Sequence, residues 1–130
     1  MRVKGYDSKF ERTLDKGPLS VAQYHPTRVK YVIPAREAWY SPDWTYKDWV
    51  IEGKGRFRNS QDAMRYLHIR DKVEKDGKRF IFVFQKPDLP MPGAKRRKKT
   101  GDKMTHREWA DKHGFMWATP ETIGEIINAR

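Results

Sequence analysis

The sequence predicts an α/β domain with a small mixed sheet flanked by helices. Three observations carry that prediction. Short runs rich in β-branched and aromatic residues recur along the chain, stretches opened by capping residues and closed by glycine lie between them, and the order reads helix, three strands, helix, strand. At 130 residues there is material for one core, so residues 1–130 are read as a single domain.

Each element has a local reason. Ser8 and Glu11 stand at capping-box spacing and predict a short helix over Lys9 to Asp15, stopped near Gly17-Pro18. "RVKYVI" (Arg28 to Ile33) alternates and predicts a strand ended by Pro34. "EAWYS" and "DWVIEGK" predict two more, with Asp43 to Lys47 forming or flanking the turn between them. In "NSQDAMRYLHIRDKVEKDG", Asn59 or Ser60 caps a helix that Gly77 closes, with Ala63, Met64, Leu67 and Val73 on its apolar side. "RFIFVF" (Arg79 to Phe84) is almost wholly apolar, as expected of a strand covered on both faces.

A composition break follows. Residues 86–104 are rich in proline and glycine and carry the basic run Lys95, Arg96, Arg97, Lys98, Lys99, predicting a mobile basic loop. Thr105 and Glu108 make a second capping box, opening a helix that ends at Gly114. "FMWAT" predicts a short strand, and Thr119 with Pro120 predicts the start of a last helix.

The charge balance is strongly positive, with 28 Lys and Arg against 17 Asp and Glu, so a polyanion is the natural partner. There are no cysteines, which excludes disulfide scaffolds, zinc ribbons and thiol nucleophiles. No apolar h-region opens the sequence and no apolar run approaches membrane-spanning length, so a soluble, cytoplasmic protein is expected.

The chemistry concentrates in "SPDWTYKDWVIEGKG", Ser41 to Gly55. Strand alternation puts Trp49 and Ile51 on one face and Val50, Glu52 and Lys54 on the other. A preceding hairpin strand brings Asp43 beside Glu52. Two close carboxylates repel and push one pKa upward unless a cation lies between them. A hard divalent ion with oxygen ligands, Mg²⁺ or Mn²⁺, resolves that conflict and also activates water against a phosphodiester. The plainer reading is an exposed cross-strand acid–lysine pair of small energetic value. Pro-Asp, a hairpin, Glu-x-Lys on one face and the basic balance together favour the cation site.

Pro42-Asp43 followed by Glu52-Gly53-Lys54 resembles the PD-(D/E)xK nuclease signature. On a longer view, "YVIPA", "YSPDW", "VIEGKG", "LHIRD" and "EWADKHG" resemble, in order and rough spacing, the phage endonuclease I family of Holliday-junction resolvases. The likeness runs from about Ser8 to Trp117, with one departure: Gln85 to Lys103 is longer and more basic than the family pattern. The resemblance implies a PD-(D/E)xK core and a metal site of Asp43, Glu52 and Glu11 holding Mg²⁺, with Mn²⁺ able to substitute, and with Lys54 assisting catalysis. It also implies an intertwined homodimer in which Glu11 acts in trans, and branched DNA as substrate, cleaved inside a phage-infected host cell.

For DNA contact the candidates are Arg56 and Arg58 after the catalytic lysine, the loop cations Lys95 to Lys99, and Trp44 beside Asp43. Trp39, Trp49 and Trp109 are assigned to the core, and the four histidines lack ligand spacing. Two alternatives stay open: another small nuclease acting on duplex or damaged DNA, and a non-catalytic basic nucleic-acid-binding protein.

Overall fold

A computed structural model of the chain describes residues 9–26, 28–33 and 36–129. Its elements are α1 (Lys9–Lys16), β1 (Gln23–Tyr24), β2 (Val29–Ile33), β3 (Arg36–Tyr40), β4 (Trp44–Tyr46), β5 (Trp49–Lys54), α2 (Ser60–Lys75), β6 (Arg79–Phe84), α3 (His106–Lys112), β7 (Met116–Ala118) and α4 (Ile123–Asn128). They form a mixed five-stranded sheet in the order β1-β4-β5-β6-β7 and a separate two-stranded hairpin of β2 and β3. β1, β4 and β5 run antiparallel, whereas β5, β6 and β7 are parallel. The α/β architecture with helices flanking a mixed sheet is therefore as expected.

The hairpin partner of β5 differs from the expectation. The segment Asp43 to Lys47 is not merely a turn, since Trp44–Tyr46 is a strand paired to β5 in the register Trp44↔Ile51. The turn is confined to Lys47 and Asp48, with Lys47 at a positive φ of 53°. β3 pairs with β2 instead. β1 has no counterpart in the expected elements, because two residues are too few to show a period.

The sheet is covered on both sides. One face buries Trp44, Trp49, Ile51, Ile81 and Val83 with Leu14 of α1 and Ile123 and Ile127 of α4. The other buries Val50, Phe80, Phe82 and Phe84 with Ala63, Tyr66, Ile69 and Val73 of α2 and Trp109 of α3. β6 is buried from Phe80 through Phe84. Each such side chain contributes roughly 1.5–3 kcal/mol, which makes β6 the spine of the domain.

Two of the three caps predicted on described residues are present, and Thr119 is not the cap of α4. Asn59 accepts from the Asp62 N–H at the start of α2, and Thr105 forms a full capping box with Glu108 at α3. The Ser8 half of the first predicted capping box lies outside the described residues. α4 begins later than expected: Thr119 accepts backbone hydrogen bonds from Thr122 and Ile123, so residues 119–122 form a lead-in turn. On α2, Met64 is exposed, and Tyr66 and Ile69 take the inward positions beside Ala63 and Val73. Two tryptophans also correct the expectation. Trp39 lies 55% exposed on the separate hairpin, with Arg28 and Lys30 over its ring. Trp44 is fully buried and donates to Asp15 at 3.2 Å, so it has no face to offer DNA.

The segment between β6 and α3 carries its own hydrogen bonds. Met91 N–H donates to Met104 O, Arg97 N–H to Asp102 O, and His106 N–H to Leu89 O. His106 fastens this segment to the loop after β5. Its Nε2 accepts from Phe57 N–H at 3.1 Å and its Nδ1 donates to Leu89 O at 2.7 Å, with the ring stacked on Phe57. Both nitrogens are committed with the imidazole neutral, and burial pushes its pKa below the ordinary 6.5. The unfolded chain accepts a proton that the folded chain resists. This contribution is therefore present above about pH 6.5 and is lost as pH falls below it. Thermal unfolding at neutral and mildly acidic pH should show wild type losing more stability on acidification than His106→Gln; parallel profiles would refute the role.

Candidate active site

β4 and β5 build the centre of the site. Continuing the Trp44↔Ile51 register places Asp43 opposite Glu52, and the Asp43 carboxylate accepts the Gly53 N–H at 3.0 Å. On the other side, the His25 N–H donates to the Asp43 carbonyl at 2.8 Å, extending the β1–β4 ladder by one pair. Asp43 is thus gripped by backbone from two neighbouring strands.

Gly53 lets α1 approach. A Cβ at this position would lie 3.2 Å from the Trp44 ring and 3.4 Å from Leu14, with Phe10 at 3.6 Å. These contacts explain why glycine separates Glu52 from Lys54: any side chain there would push on the helix that carries Glu11.

Glu11 is buried on α1, and Tyr24 donates to its Oε2 at 3.5 Å. One ligand atom each from Glu11, His25 and Asp43 lie within 4.8 Å of one another. In the single chain, its own Glu11 reaches the cluster.

Glu52 lies on the α2 side of the sheet, 6% exposed. Its Oε1 accepts from Tyr40 at 2.5 Å, its Oε2 from Tyr66 at 3.0 Å, and Lys54 Nζ stands 3.5 Å from Oε2. Burial, and then the Glu52 charge, push both tyrosine pKa values well above 10, so both hydroxyls stay donors. Lys54 also lies 5.1 Å over the Tyr66 ring. Beyond it, burial works against ionisation of Asp62. The Arg58 N–H, Lys54 and Arg65 outweigh burial and hold that carboxyl below its ordinary value.

The electrostatics centre on Asp43. Burial first, then the charges of Glu52 and Glu11, push its pKa up to about 10, against the pull of the Gly53 N–H. Asp43 thus stands between two other carboxyl groups, Glu52 and Glu11, and is disfavoured as an anion unless a counter-charge joins it. The donors are hard carboxylate oxygens plus one imidazole, a set suited to a divalent cation.

The structure thus brings Asp43, Glu52, Lys54 and Glu11 together. Sequence reasoning misses His25 because it lies far from the motif and arrives through a two-residue strand. It misses Tyr40 and Tyr66, which orient Glu52, because nothing in their spacing separates them from core aromatics. Arg56 and Arg58 are exposed just past Lys54, and Lys95, Arg96, Lys98 and Lys99 are exposed on the loop. Arg97 differs from these, since its guanidinium is engaged by Glu108 at 2.9 Å and Asp102 at 3.5 Å.

Comparison with known proteins agrees in extent with the geometry. A family model described as phage endonuclease I matches residues 2–121. Endodeoxyribonuclease 1 of Enterobacteria phage T3 is 27% identical over 115 residues, covering 88% of this chain and 68% of its own. Endonuclease I of Escherichia phage T7 is 26% identical over 115 residues, covering 88% and 70%.

Proposed function

We propose a reaction on DNA from this premise: the chain belongs to the phage endonuclease I family. The reading is a divalent-metal-dependent DNA endonuclease, selective for four-way junctions and other branched DNA, that hydrolyses phosphodiester bonds. The observation that carries it is the convergence on Asp43 of Glu11, within 4.8 Å, and of Glu52, which bears Lys54 at 3.5 Å, in a chain of net charge +11. The succession of α1, the β4–β5 hairpin, α2 and a parallel β6 supports a PD-(D/E)xK-type core within a single domain.

Asp43, Glu52 and Glu11 would hold Mg²⁺, with Mn²⁺ able to substitute. Bound there, the ion would offset charge on the phosphodiester and acidify water. The chain's own groups do the rest. Tyr40 and Tyr66 fix the Glu52 carboxylate, and the Gly53 N–H fixes Asp43. Lys54, held by Glu52, donates a hydrogen bond to the phosphate as the water oxygen bonds to phosphorus and gives up a proton to solvent, while the bond to one sugar oxygen breaks and that oxygen takes up a proton. Arg56 and Arg58 grip the backbone next to the site, with Lys95, Arg96, Lys98 and Lys99 as a second contact.

Two symmetric nicks across a junction require two sites, so the working unit is a homodimer. Exchange of α1 between two chains would leave the composition of each site unchanged. Among the described residues no helix is long and apolar enough to cross a membrane, and the phage relatives support action in the cytoplasm of an infected host.

The test uses purified protein with labelled four-way junction and matched linear duplex, with and without Mg²⁺. Paired nicks in the junction, dependent on Mg²⁺ and absent from the duplex, are expected. Equal cutting of linear duplex would refute junction selectivity. Absence of any metal-dependent cutting would point to a non-catalytic binder.

A further inference from the structure

We propose that His25 is a nitrogen ligand of the cation held at Asp43 and Glu11, tilting this site from Mg²⁺ toward Mn²⁺ and neighbouring first-row metals. The inference rests on the cation site proposed above and concerns which donors complete it.

The placement of His25 carries the argument. A ligand atom of its imidazole falls within the 4.8 Å group that also contains carboxylate oxygens of Glu11 and Asp43. That position is built rather than incidental. Pairing of Gln23↔Thr45 and Tyr24↔Trp44 brings residue 25 level with Asp43, and its N–H closes on the Asp43 carbonyl at 2.8 Å. The His25 ring stacks on Tyr24 with centroids 4.0 Å apart, and the Tyr24 hydroxyl donates to Glu11 at 3.5 Å. One tyrosine thus orders both the imidazole and a carboxylate of the same cluster.

The backbone is consistent with a specific demand at this position. His25 takes a positive φ of 51°, a conformation that costs a non-glycine residue free energy and persists where the surroundings fix it. The exposure of His25 leaves room for a cation to be approached from solvent, while the buried Glu11 forms the floor.

Donor chemistry sets the consequence. An all-oxygen site suits Mg²⁺, which binds imidazole poorly, whereas Mn²⁺, Co²⁺ and Zn²⁺ accept mixed nitrogen and oxygen ligands. One imidazole among carboxylates therefore raises affinity for the transition ions more than for Mg²⁺.

The decisive measurement is spectroscopic and uses the full chain without DNA. Mn²⁺ is added to wild-type protein, and its electron spin-echo modulation is recorded with natural-abundance and ¹⁵N-histidine-labelled samples. A nitrogen modulation that changes on labelling is expected, together with its loss in His25→Asn, a residue that tolerates positive φ. In calorimetry that variant should lose at least the roughly tenfold in Mn²⁺ affinity that even outer-shell changes cost, with Mg²⁺ affinity changed less. Mn²⁺ bound in an Asp43-dependent way without nitrogen modulation would overturn the His25 assignment and leave the carboxylate site standing. Failure of wild type to bind Mn²⁺ in an Asp43-dependent way would overturn both.

Discussion

Asp43→Asn is expected to abolish DNA cleavage and, with divalent cations removed, to raise the melting temperature of the protein. The first effect follows from its place between Glu52, Glu11 and the Gly53 N–H. Loss of the central carboxylate should cost at least about 1,000-fold in rate, some 4 kcal/mol of transition-state stabilisation. Junction binding should persist, because the exposed cations Arg56, Arg58, Lys95, Arg96, Lys98 and Lys99 are untouched.

The second effect follows from linkage. The Asp43 pKa rises from 3.8 to about 10 on folding, so at neutral pH the folded chain holds a proton that the unfolded chain has released. The stability of the metal-free protein therefore falls as pH rises between those values. Asparagine keeps an acceptor for Gly53 N–H and removes the titration. A tenfold change in proton affinity is worth about 1.4 kcal/mol, so relieving even part of this rise should stabilise the protein by at least that much in EDTA. Mg²⁺ should reverse the order by stabilising wild type alone. Cleavage at the wild-type rate, or a lower melting temperature than wild type in EDTA, would refute the assignment.

The same stretch shows what sequence reasoning reaches and where it stops. Alternation along "DWVIEGK" correctly separates Trp49 and Ile51 from Val50, Glu52 and Lys54, because β5 is a regular strand in the middle of a sheet. The caps of α2 and α3 and the closing glycines Gly77 and Gly114 are local features, so they too are readable. β4 is not, since three residues next to a turn carry too little pattern. Without β4, β5 takes the wrong partner and Trp44 is left on an assumed surface. With Asp43 facing Glu52, the next residue must face the opposite way, and the packing of α1 and α4 there makes it core. Trp39 fails in the other direction, because its strand lies in a separate hairpin that the sheet does not cover. His25 and the two tyrosines on Glu52 depend on tertiary contacts between distant segments, which no spacing rule encodes.

Lys54→Met should also abolish cleavage, yet with the opposite effect on stability. Asp43 is a group that the metal-free fold strains to hold, whereas Lys54 is one that the fold relies on. Its ammonium is the cation beside Glu52 at 3.5 Å, with side-chain exposures of only 16% and 8%. It also helps hold Asp62 ionised and rests over Tyr66 and Phe57. Among the described residues, removing it leaves Glu52 with two tyrosine hydroxyls and without its ion-pair partner. Breaking a buried pair from one side costs about 3–5 kcal/mol, and the surviving hydroxyl donors place the expected loss near the lower figure. The rate should fall by roughly 100-fold or more, as for loss of one preorganised donor to a developing charge. Lys54→Arg separates the two roles. Its guanidinium retains the charge and should recover most of the stability. Its planar fork does not reproduce a single ammonium donor, so cleavage should stay low. Unfolding and junction-cleavage measurements on both variants test this. If Lys54→Met melts like wild type, Glu52 does not depend on the lysine charge. If Lys54→Arg cuts like wild type, position 54 needs only a positive charge.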